Sequence, residues 1–396
     1  PATGEQTGAV DLASVAEVDA AVAAAKAAFP AWRSSSLSKR AEVMFRLREL
    51  IDANRKEIAS LVTAEHGKVL SDAMGEVARG LENVEFACGI PQLIKGDYSE
   101  QAAGGIDVYS IRQPLGVVAG ITPFNFPAMV PMWMFANALA CGNTFVLKPS
   151  EKDPSVALYL AELLAQAGLP AGCFNVVQGD KVAVDAILEH DDIAAVSFVG
   201  STPIAKYIYE TGTSNGKRVQ ALGGAKNHML VLADADVDMA ADAAVGAGYG
   251  SAGERCMAIS VVLAAESIAD ELVAKIAERI PSIKVGPGNE PDNEMGPLIT
   301  AEHRDRVRGY VNNAPEEGAT LVVDGRAGVP SSGYFLNPTL LDNVTTDMAC
   351  YRDEIFGPVL SVMRVAGYQE GIDTINANPY ANGTAIFTRD GGAARQ

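Results

Sequence analysis

The chain has 396 residues, more than one hydrophobic core usually serves, so two or more domains are expected. Its 49 Asp and Glu residues outnumber its 31 Lys and Arg residues, and the net charge of −18 would repel nucleic-acid phosphates and anionic membrane surfaces. We therefore expect neither nucleic acid nor a membrane as a partner. The N-terminus also lacks the basic and apolar blocks of a secretory signal, which favours a soluble protein.

Cysteine and histidine usage argues against disulfides and metal sites. The 5 cysteines form no Cys-x-x-Cys pair and their total is odd, which favours reduced, cytoplasmic surroundings. The 4 histidines are far apart and show no metal-ligand spacing, so we expect no metal. A mitochondrial matrix location would also fit if a presequence had been removed.

Residues 14–94 have apolar residues spaced three and four apart, which predicts a helical N-terminal region. The pattern changes at Asp107, where Val108–Ile111 alternates like an exposed strand. The apolar run Gly116–Ile121 is typical of a buried parallel strand.

Strands and helices then alternate along the chain, which predicts an open parallel sheet with helices on both faces. The strand Val196–Val199 leads directly into a helix, with Thr202 predicted as its N-cap and Pro203 as its first residue. Such a helix start can hold an anion, although the segment lacks the Gly-x-Gly-x-x-Gly fingerprint. Further predicted elements are strands at 144–147 and 174–177 and helices at 155–167 and 182–188.

Cys256 lies in the small-residue segment Gly250-Ser251-Ala252-Gly253-Glu254-Arg255-Cys256-Met257, where the backbone can approach a ligand closely. Arg255 places positive charge beside the sulfur, which is expected to favour the thiolate. This segment alone fits a buried cysteine at the start of a helix equally well.

Six short segments stand out together along the chain: Pro123–Pro127, Lys148–Glu151, Phe198–Ser201, Leu222–Gly224, Gly253–Cys256 and Glu354–Val359. Their order and separations resemble those of the aldehyde dehydrogenase superfamily, over nearly the whole chain. The longer segments Ile121–Trp133, Gly224–His228 and Gly253–Ala258 are most similar to the methylmalonate-semialdehyde dehydrogenase branch of that superfamily.

The resemblance implies an α/β fold with a Rossmann-type NAD domain at 1–97 and 115–222 and an α/β catalytic domain at 223–396. It also implies an oligomerisation strand at 98–114 and a homo-oligomer, a dimer or a tetramer. Members of the family continue beyond the position of Gln396 with residues that complete the catalytic domain.

The resemblance further assigns catalytic roles. Cys256 would attack the aldehyde carbon and form a thiohemiacetal. The Asn125 amide, with the Cys256 backbone N–H, would stabilise the resulting alkoxide. Without the resemblance, Asn125 could be a turn residue between two prolines.

Binding of NAD is implied at a second group of residues. Lys148 and Glu151 would hold the adenine-side ribose, and the carboxylate would repel a 2′-phosphate, which favours NAD over NADP. Glu354 and Phe356 would position the nicotinamide side. Lys148 and Glu151 could instead be surface charges, and Phe356 a core residue. The complete predicted cofactor set is Thr122, Phe124, Lys148, Glu151, Gly200, Ser201, Glu354 and Phe356.

One position departs from the family pattern. Hydrolytic members carry a glutamate before Leu-Gly-Gly as general base, and this chain has Ala221 there. Because alanine cannot take a proton, water attack on the thioester loses a factor of about 10² to 10⁴. A thiol such as coenzyme A needs no dedicated base, so CoA is the expected acyl acceptor. A base displaced to Glu254, a hydrolytic enzyme and a catalytically silent NAD-binding relative remain alternatives.

The branch resemblance points to malonate or methylmalonate semialdehyde as the substrate. Arg79 and Arg255 would pair with its carboxylate. Alternatively, Arg79 is a helix-surface residue paired with Glu82 or Glu76. Oxidation with loss of carbon dioxide would give acetyl-CoA or propionyl-CoA.

Overall fold

The computed structural model describes all residues, 1–396. The chain folds into two compact units. The first unit comprises Gly8–Val62 and Ala73–Gly223. The second unit comprises Pro1–Thr7, Thr63–Asp72 and Gly224–Gln396. The second unit thus includes two short segments that the sequence-based division left in the N-terminal domain.

The chain opens with helices that bury small and aliphatic residues, as the spacing predicted. Helix α2 begins after Ser36, whose side chain accepts a hydrogen bond from the Lys39 N–H. The helices of this region are α1 (Val15–Arg33), α2 (Leu37–Ala53), α3 (Arg55–His66), α4 (Leu70–Cys88) and α5 (Ile90–Leu93).

The first unit continues with an exposed two-stranded ribbon and then the alternating strands and helices that the sequence predicted. All ten residues of the ribbon strands are exposed. The elements are β1 (Tyr98–Ala103), β2 (Ile106–Tyr109), β3 (Val117–Ile121), α6 (Met129–Ala140), β4 (Thr144–Lys148), α7 (Ser155–Gln166), β5 (Phe174–Val176), α8 (Lys181–Glu189), β6 (Ile193–Val199), α9 (Thr202–Ser214) and β7 (Arg218–Leu222).

The five-stranded sheet of the first unit has the order β5-β4-β3-β6-β7, and all neighbouring strands are parallel. The chain runs from β3 through β4 to β5 on one side and returns to β6 on the other side of β3. The strand order therefore reverses beside β3. Ligands of open parallel sheets bind at the carboxyl ends of the strands at such a reversal.

The start of α9 differs from the prediction by one residue. Ser201, with φ −67° and ψ 151°, is the N-cap, and Thr202 is already helical. The prediction of Thr202 as N-cap was wrong because Pro203 is tolerated at the second helical position as well as the first: its missing N–H would have no intrahelical partner there.

The second unit is built on a six-stranded sheet in the order β10-β11-β12-β9-β8-β13, parallel except for the pairing of β10 with β11. Its central strands are apolar and buried, as both faces of such a sheet require. The elements are β8 (Asn227–Val231), α10 (Val237–Tyr249), β9 (Ile259–Ala265), α11 (Glu266–Arg279), α12 (Ala301–Asn313), β10 (Thr320–Val323), β11 (Thr339–Asp342), α13 (Ala349–Arg352), β12 (Val359–Val365), α14 (Tyr368–Ala377), β13 (Thr384–Phe387) and α15 (Gly391–Arg395).

The helices lack the combination of length and apolar character that crossing a membrane requires. The fold class predicted from the sequence, α/β with open parallel sheets, is confirmed.

Candidate active site

Cys256 follows a 3-10 turn at Gly250–Gly253 and precedes β9, so it does not begin a helix. Two amides fix its backbone: the Nδ2 groups of Asn227 and Asn382 each donate to the Cys256 carbonyl at 2.8 Å. Asn227 is 2% exposed and also donates to the Ala258 carbonyl. The loop that carries Cys256 is therefore anchored to the first residue of β8.

The turn before Cys256 has an unusual backbone. Ser251, Ala252 and Gly253 have φ values of 52°, 54° and 72° in succession. The left-handed region costs roughly 1–2 kcal/mol for each residue with a Cβ. At Gly253 a side chain is excluded as well, since a Cβ there would lie 2.3 Å from the Gly357 carbonyl oxygen. The loop that carries Cys256 and the loop that carries Glu354 and Phe356 thus approach backbone to backbone.

Within the second unit, a narrow cavity of about 10 Å³, room for roughly one water, joins these two loops. It brings together four of the residues singled out in the sequence: Arg255, Cys256, Glu354 and Phe356. The other predicted site residues belong to the first unit.

Burial raises the pKa of the Cys256 thiol, and the nearby Glu354 carboxylate raises it further. The backbone N–H groups of Cys256 and Met257 act in the opposite direction. The prediction that Arg255 favours the thiolate was wrong. Its guanidinium is paired with Asp72, with Nη2 donating to Oδ1 at 2.6 Å, and it is not among the groups that lower the pKa of the thiol.

Glu354 lies in a loop that several groups hold. Its Oε1 accepts a hydrogen bond from the Ala225 N–H at 2.9 Å. Burial raises the pKa of Glu354, while the Ala225 N–H, Lys226 and Arg306 lower it. Lys226, 3% exposed, donates from Nζ to the carbonyls of Cys350 and Asp353 at 2.7 and 2.6 Å. Desolvation lowers the pKa of Lys226 to about 8.

Phe356 is held in a left-handed conformation, with φ 57°. Arg306 donates to Nδ1 of His303 at 3.2 Å, so that nitrogen accepts and Nε2 carries the ring proton. Nε2 therefore donates to the Phe356 carbonyl, 2.6 Å away. Arg306 also donates to the Ile355 carbonyl at 3.0 Å, so one face of α12 fixes this loop. These contacts fix the backbone of the loop that carries Phe356, whose side chain is half-buried.

Glu254, the alternative general base, is 0% exposed. Its Oε1 accepts from the Ile299 N–H at 3.2 Å, and ring nitrogens of His66 and His303 lie within 3.6 and 3.5 Å of its oxygens. Desolvation, followed by the charge of Lys68, holds the pKa of His66 well below its usual range. Glu254 does not line the cavity beside Cys256, which argues against it as the base.

In the first unit, predicted cofactor residues lie at the carboxyl ends of three adjacent strands. Thr122 follows β3, Lys148 ends β4, and Gly200 and Ser201 follow β6. The Thr122 N–H donates to the Lys148 carbonyl at 3.1 Å, which joins two of these ends. The Ser201 side chain makes no capping hydrogen bond to α9. A strand-order reversal beside a helix N-terminus suits the pyrophosphate of a dinucleotide.

Lys148 is 6% exposed and donates from Nζ to Oε2 of Glu151 at 3.2 Å. Lys148 is therefore not an ordinary surface charge. Glu151 keeps 42% of its side chain exposed, which leaves its carboxylate accessible. The pair fits a ribose with two free hydroxyls.

Asn125 is 4% exposed and lies in the loop before α6, next to the half-buried Phe124. The first turn of α6 is capped by Glu76, whose Oε1 accepts from the Ala128 and Met129 N–H groups at 2.8 and 3.2 Å. The sequence had suggested Glu76 only as a partner of Arg79.

Arg79 lies on α4 with 69% of its side chain exposed, and its Nη1 donates to both carboxylate oxygens of Glu82 at 3.1 and 3.0 Å. In this structure Arg79 is thus a helix-surface residue paired with Glu82, as one of the two interpretations of the sequence expected. Exposed ion pairs contribute little to stability, so Glu82 can be exchanged for another anion at small cost.

The model of the aldehyde dehydrogenase family matches residues 1–396. The chain belongs to the aldehyde dehydrogenase family. Similar proteins include the malonate-semialdehyde dehydrogenase of Pseudomonas aeruginosa, 54% identical over 400 residues, and malonate-semialdehyde dehydrogenase 2 of Geobacillus kaustophilus, 51% identical over 398 residues. These alignments cover 100% of this chain and 80% and 82% of the two relatives.

Solved structures of other family members are also similar. Methylmalonate-semialdehyde dehydrogenase of Oceanimonas doudoroffii superposes with a TM-score of 0.98 at 57% identity, covering 100% of this chain and 82% of the other. A candidate methylmalonate-semialdehyde dehydrogenase of Sinorhizobium meliloti in complex with NAD has a TM-score of 0.98 at 55% identity, with coverages of 100% and 81%. The family resemblance seen in the sequence motifs is confirmed.

The sequence did not indicate a role for several residues that shape this aldehyde dehydrogenase site. They include Asp72, Lys226, His303 and Arg306, which act on backbone groups or on another side chain. Lys226 and Asn227 did stand in a quoted segment, Gly224–His228, but without a role.

Proposed function

We propose that this aldehyde dehydrogenase oxidises malonate or methylmalonate semialdehyde with NAD and transfers the acyl group to coenzyme A. The observation that carries the proposal is the cavity that holds Cys256, Arg255 and Glu354, in a chain 54% identical to the malonate-semialdehyde dehydrogenase of Pseudomonas aeruginosa. The NAD-bound relative and the strand-end residues of the first unit support the cofactor.

Cys256 is the proposed nucleophile. Its sulfur, once deprotonated, forms a bond to the aldehyde carbon, and the carbonyl oxygen becomes an alkoxide. We propose that the Asn125 amide and the Cys256 N–H stabilise this oxygen; loss of one such donor typically costs about 3 to 4 kcal/mol. NAD, when bound, supplies the acceptor for the hydride that leaves this carbon. The Cys256 sulfur then holds the acyl group as a thioester.

Release of the acyl group depends on what can attack the thioester. Ala221 offers no proton acceptor, and Glu254 is buried away from the cavity. Glu354 is engaged by the Ala225 N–H and is assigned to the cofactor ribose. A CoA thiolate needs no base: it attacks the acyl carbon and displaces the Cys256 thiolate.

Malonate semialdehyde and its methyl derivative carry a carboxylate β to the acyl carbon. Arg255 and Arg79 are the proposed partners of that carboxylate. Its loss as carbon dioxide leaves an enolate that takes up a proton, so the products would be acetyl-CoA and propionyl-CoA respectively.

Mass spectrometry of the product formed from methylmalonate semialdehyde, NAD and CoA tests the proposal, with NADH followed in parallel. We expect propionyl-CoA, NADH formation that depends on CoA at full rate, and no turnover by Cys256→Ala. A free acid as sole product, at the same rate without CoA, would support the hydrolytic alternative. An inactive wild-type enzyme would support a catalytically silent NAD-binding relative.

We further propose a cytoplasmic homo-oligomer, a dimer or a tetramer, that uses the exposed β1–β2 ribbon. Val108 and Tyr109 are 54% and 68% exposed, and unpaired strand edges with apolar side chains favour pairing with another chain. Light scattering of wild type and Val108→Asp tests this. A wild-type monomer, or an unchanged assembly in the variant, would argue against the ribbon as the interface.

A further inference from the structure

The carboxylate of Asp72 spans the loop that precedes the nucleophile. Its Oδ2 accepts from the Ser251 N–H at 3.1 Å, and its Oδ1 accepts from Arg255 Nη2 at 2.6 Å. Ser251 is the first of the three left-handed residues, and Arg255 directly precedes Cys256. One side chain from the first turn of α4 thus contacts both ends of this loop.

The guanidinium of Arg255 is also confined on its other side. A Cβ at Gly250 would lie 2.4, 2.7 and 2.8 Å from its Nη1, Cζ and Nη2 atoms. The group therefore rests on the bare backbone of Gly250 while Asp72 holds Nη2. Both partners of the ion pair are mostly shielded, with 29% of the Arg255 side chain and 23% of the Asp72 side chain exposed.

A guanidinium has five N–H donors, and a carboxylate of the substrate can pair with the edge that Asp72 does not occupy. A long, flexible side chain binds a ligand more tightly when its conformation is fixed beforehand. The position of Arg255 is set by Asp72 and Gly250, neither of which belongs to the predicted substrate site.

We propose that Asp72 is a positioning residue for substrate specificity: it orients Arg255 toward the carboxylate of the semialdehyde and holds the left-handed backbone before Cys256. This inference rests on the proposed function, since it requires that Arg255 binds the substrate. Asp72 acts through Arg255 and need not touch the substrate.

The test compares malonate semialdehyde with propionaldehyde, which has the same three carbons and no carboxylate. In Asp72→Ala we expect KM for malonate semialdehyde to rise at least tenfold and KM for propionaldehyde to change less than threefold. In an Arg255→Gln background, Asp72→Ala should leave the ratio of the two KM values unchanged, because the residue through which it acts is gone. Asp238→Ala, which removes the ion pairs of another helix-start aspartate with Lys275 and Arg279, should behave like wild type.

Equal losses of kcat/KM for both aldehydes in Asp72→Ala would overturn the inference, because they indicate a purely structural role. So would an unchanged KM for malonate semialdehyde. If Asp72→Ala does not fold, Asp72→Asn replaces it, since asparagine has nearly the size of aspartate and keeps one acceptor oxygen. The ratio of the KM values for the two aldehydes is then measured in that variant. Failure of the proposed function is distinct: wild type itself would then show no preference for the carboxylate-bearing aldehyde.

Discussion

The Ala225 N–H donates a hydrogen bond to Glu354 Oε1 across 2.9 Å, and this contact fixes a carboxylate in the same cavity as the Cys256 sulfur. Both burial and this carboxylate raise the pKa of Cys256. Alkylation of Cys256 by iodoacetamide in the cofactor-free protein should therefore accelerate with rising pH, with a midpoint above that of an ordinary thiol.

Glu354→Gln should shift that alkylation midpoint to lower pH, because it removes the negative charge that disfavours the thiolate. The rate is measured by peptide mass spectrometry across the pH range, with Cys256→Ser to identify labelling at the other cysteines. A midpoint that stays the same in Glu354→Gln would show that burial alone controls the thiol.

Restoring a carboxylate at position 221 should change the fate of the thioester. In Ala221→Glu, the rate of NADH formation without CoA is expected to rise at least about tenfold. A well-placed general base contributes about 10² to 10⁴-fold, so tenfold is the lower bound of the expected gain. The product without CoA should be a free acid, detected by chromatography. Ala221→Gln has nearly the same size and cannot take the proton, so an equal gain in that variant would contradict the explanation.

Glu151 should determine the choice between NAD and NADP. Removing a hydrogen bond to a charged group costs about 1.5 to 3 kcal/mol, which corresponds to a factor of about ten to a hundred. Glu151→Ala should raise KM for NAD by about that factor and bring the kcat/KM values for NAD and NADP closer together. Steady-state kinetics with both cofactors check this, and Glu162→Ala on the exposed face of α7 is the control.

Lys226 should make the free energy of unfolding depend on pH. Its pKa is about 8 in the folded chain against 10.5 as the ordinary value, so between these pH values the unfolded state binds the additional proton. Below pH 8 the buried charge of this lysine lowers the free energy of unfolding by its full amount, up to about 3 kcal/mol. This loss of stability becomes smaller as the pH rises toward 10.5.

Urea unfolding of wild type and Lys226→Met at pH 7 to 10 measures this contribution. The difference in free energy of unfolding between wild type and Lys226→Met should be constant below pH 8. Above pH 8, the wild type should become more stable relative to the variant. Lys206→Met, at an exposed lysine, should show no such trend. A difference independent of pH would mean that Lys226 is not desolvated as the structure indicates.

The sequence was most informative where regular patterns and long motifs coincide. The buried run at Gly116–Ile121 and the alternation after it predicted the parallel sheet, because strands covered on both faces must be apolar throughout. Cys256 and Glu354 stood in specific motifs, and the structure brings both to one cavity.

Contacts between distant residues could not be predicted in the same way. Arg255 was expected to activate the thiol, but the sequence gives no sign that its guanidinium pairs with Asp72. The pair of Arg79 and Glu82, by contrast, is local, three residues apart on α4, and was one of the two partners that the sequence allowed. The sequence also could not show that Ser251 and Ala252 are left-handed, since neither is the glycine that usually marks such a conformation.

The Ser251 N–H and its Asp72 acceptor are separated by 179 positions along the chain. This hydrogen bond can therefore form only after these distant segments have met, and the native geometry of the loop before Cys256 includes it. During refolding, the reactivity characteristic of the native thiol should thus emerge late, after most helix formation. Time-resolved labelling of Cys256 would report completion of the tertiary structure more faithfully than circular dichroism does.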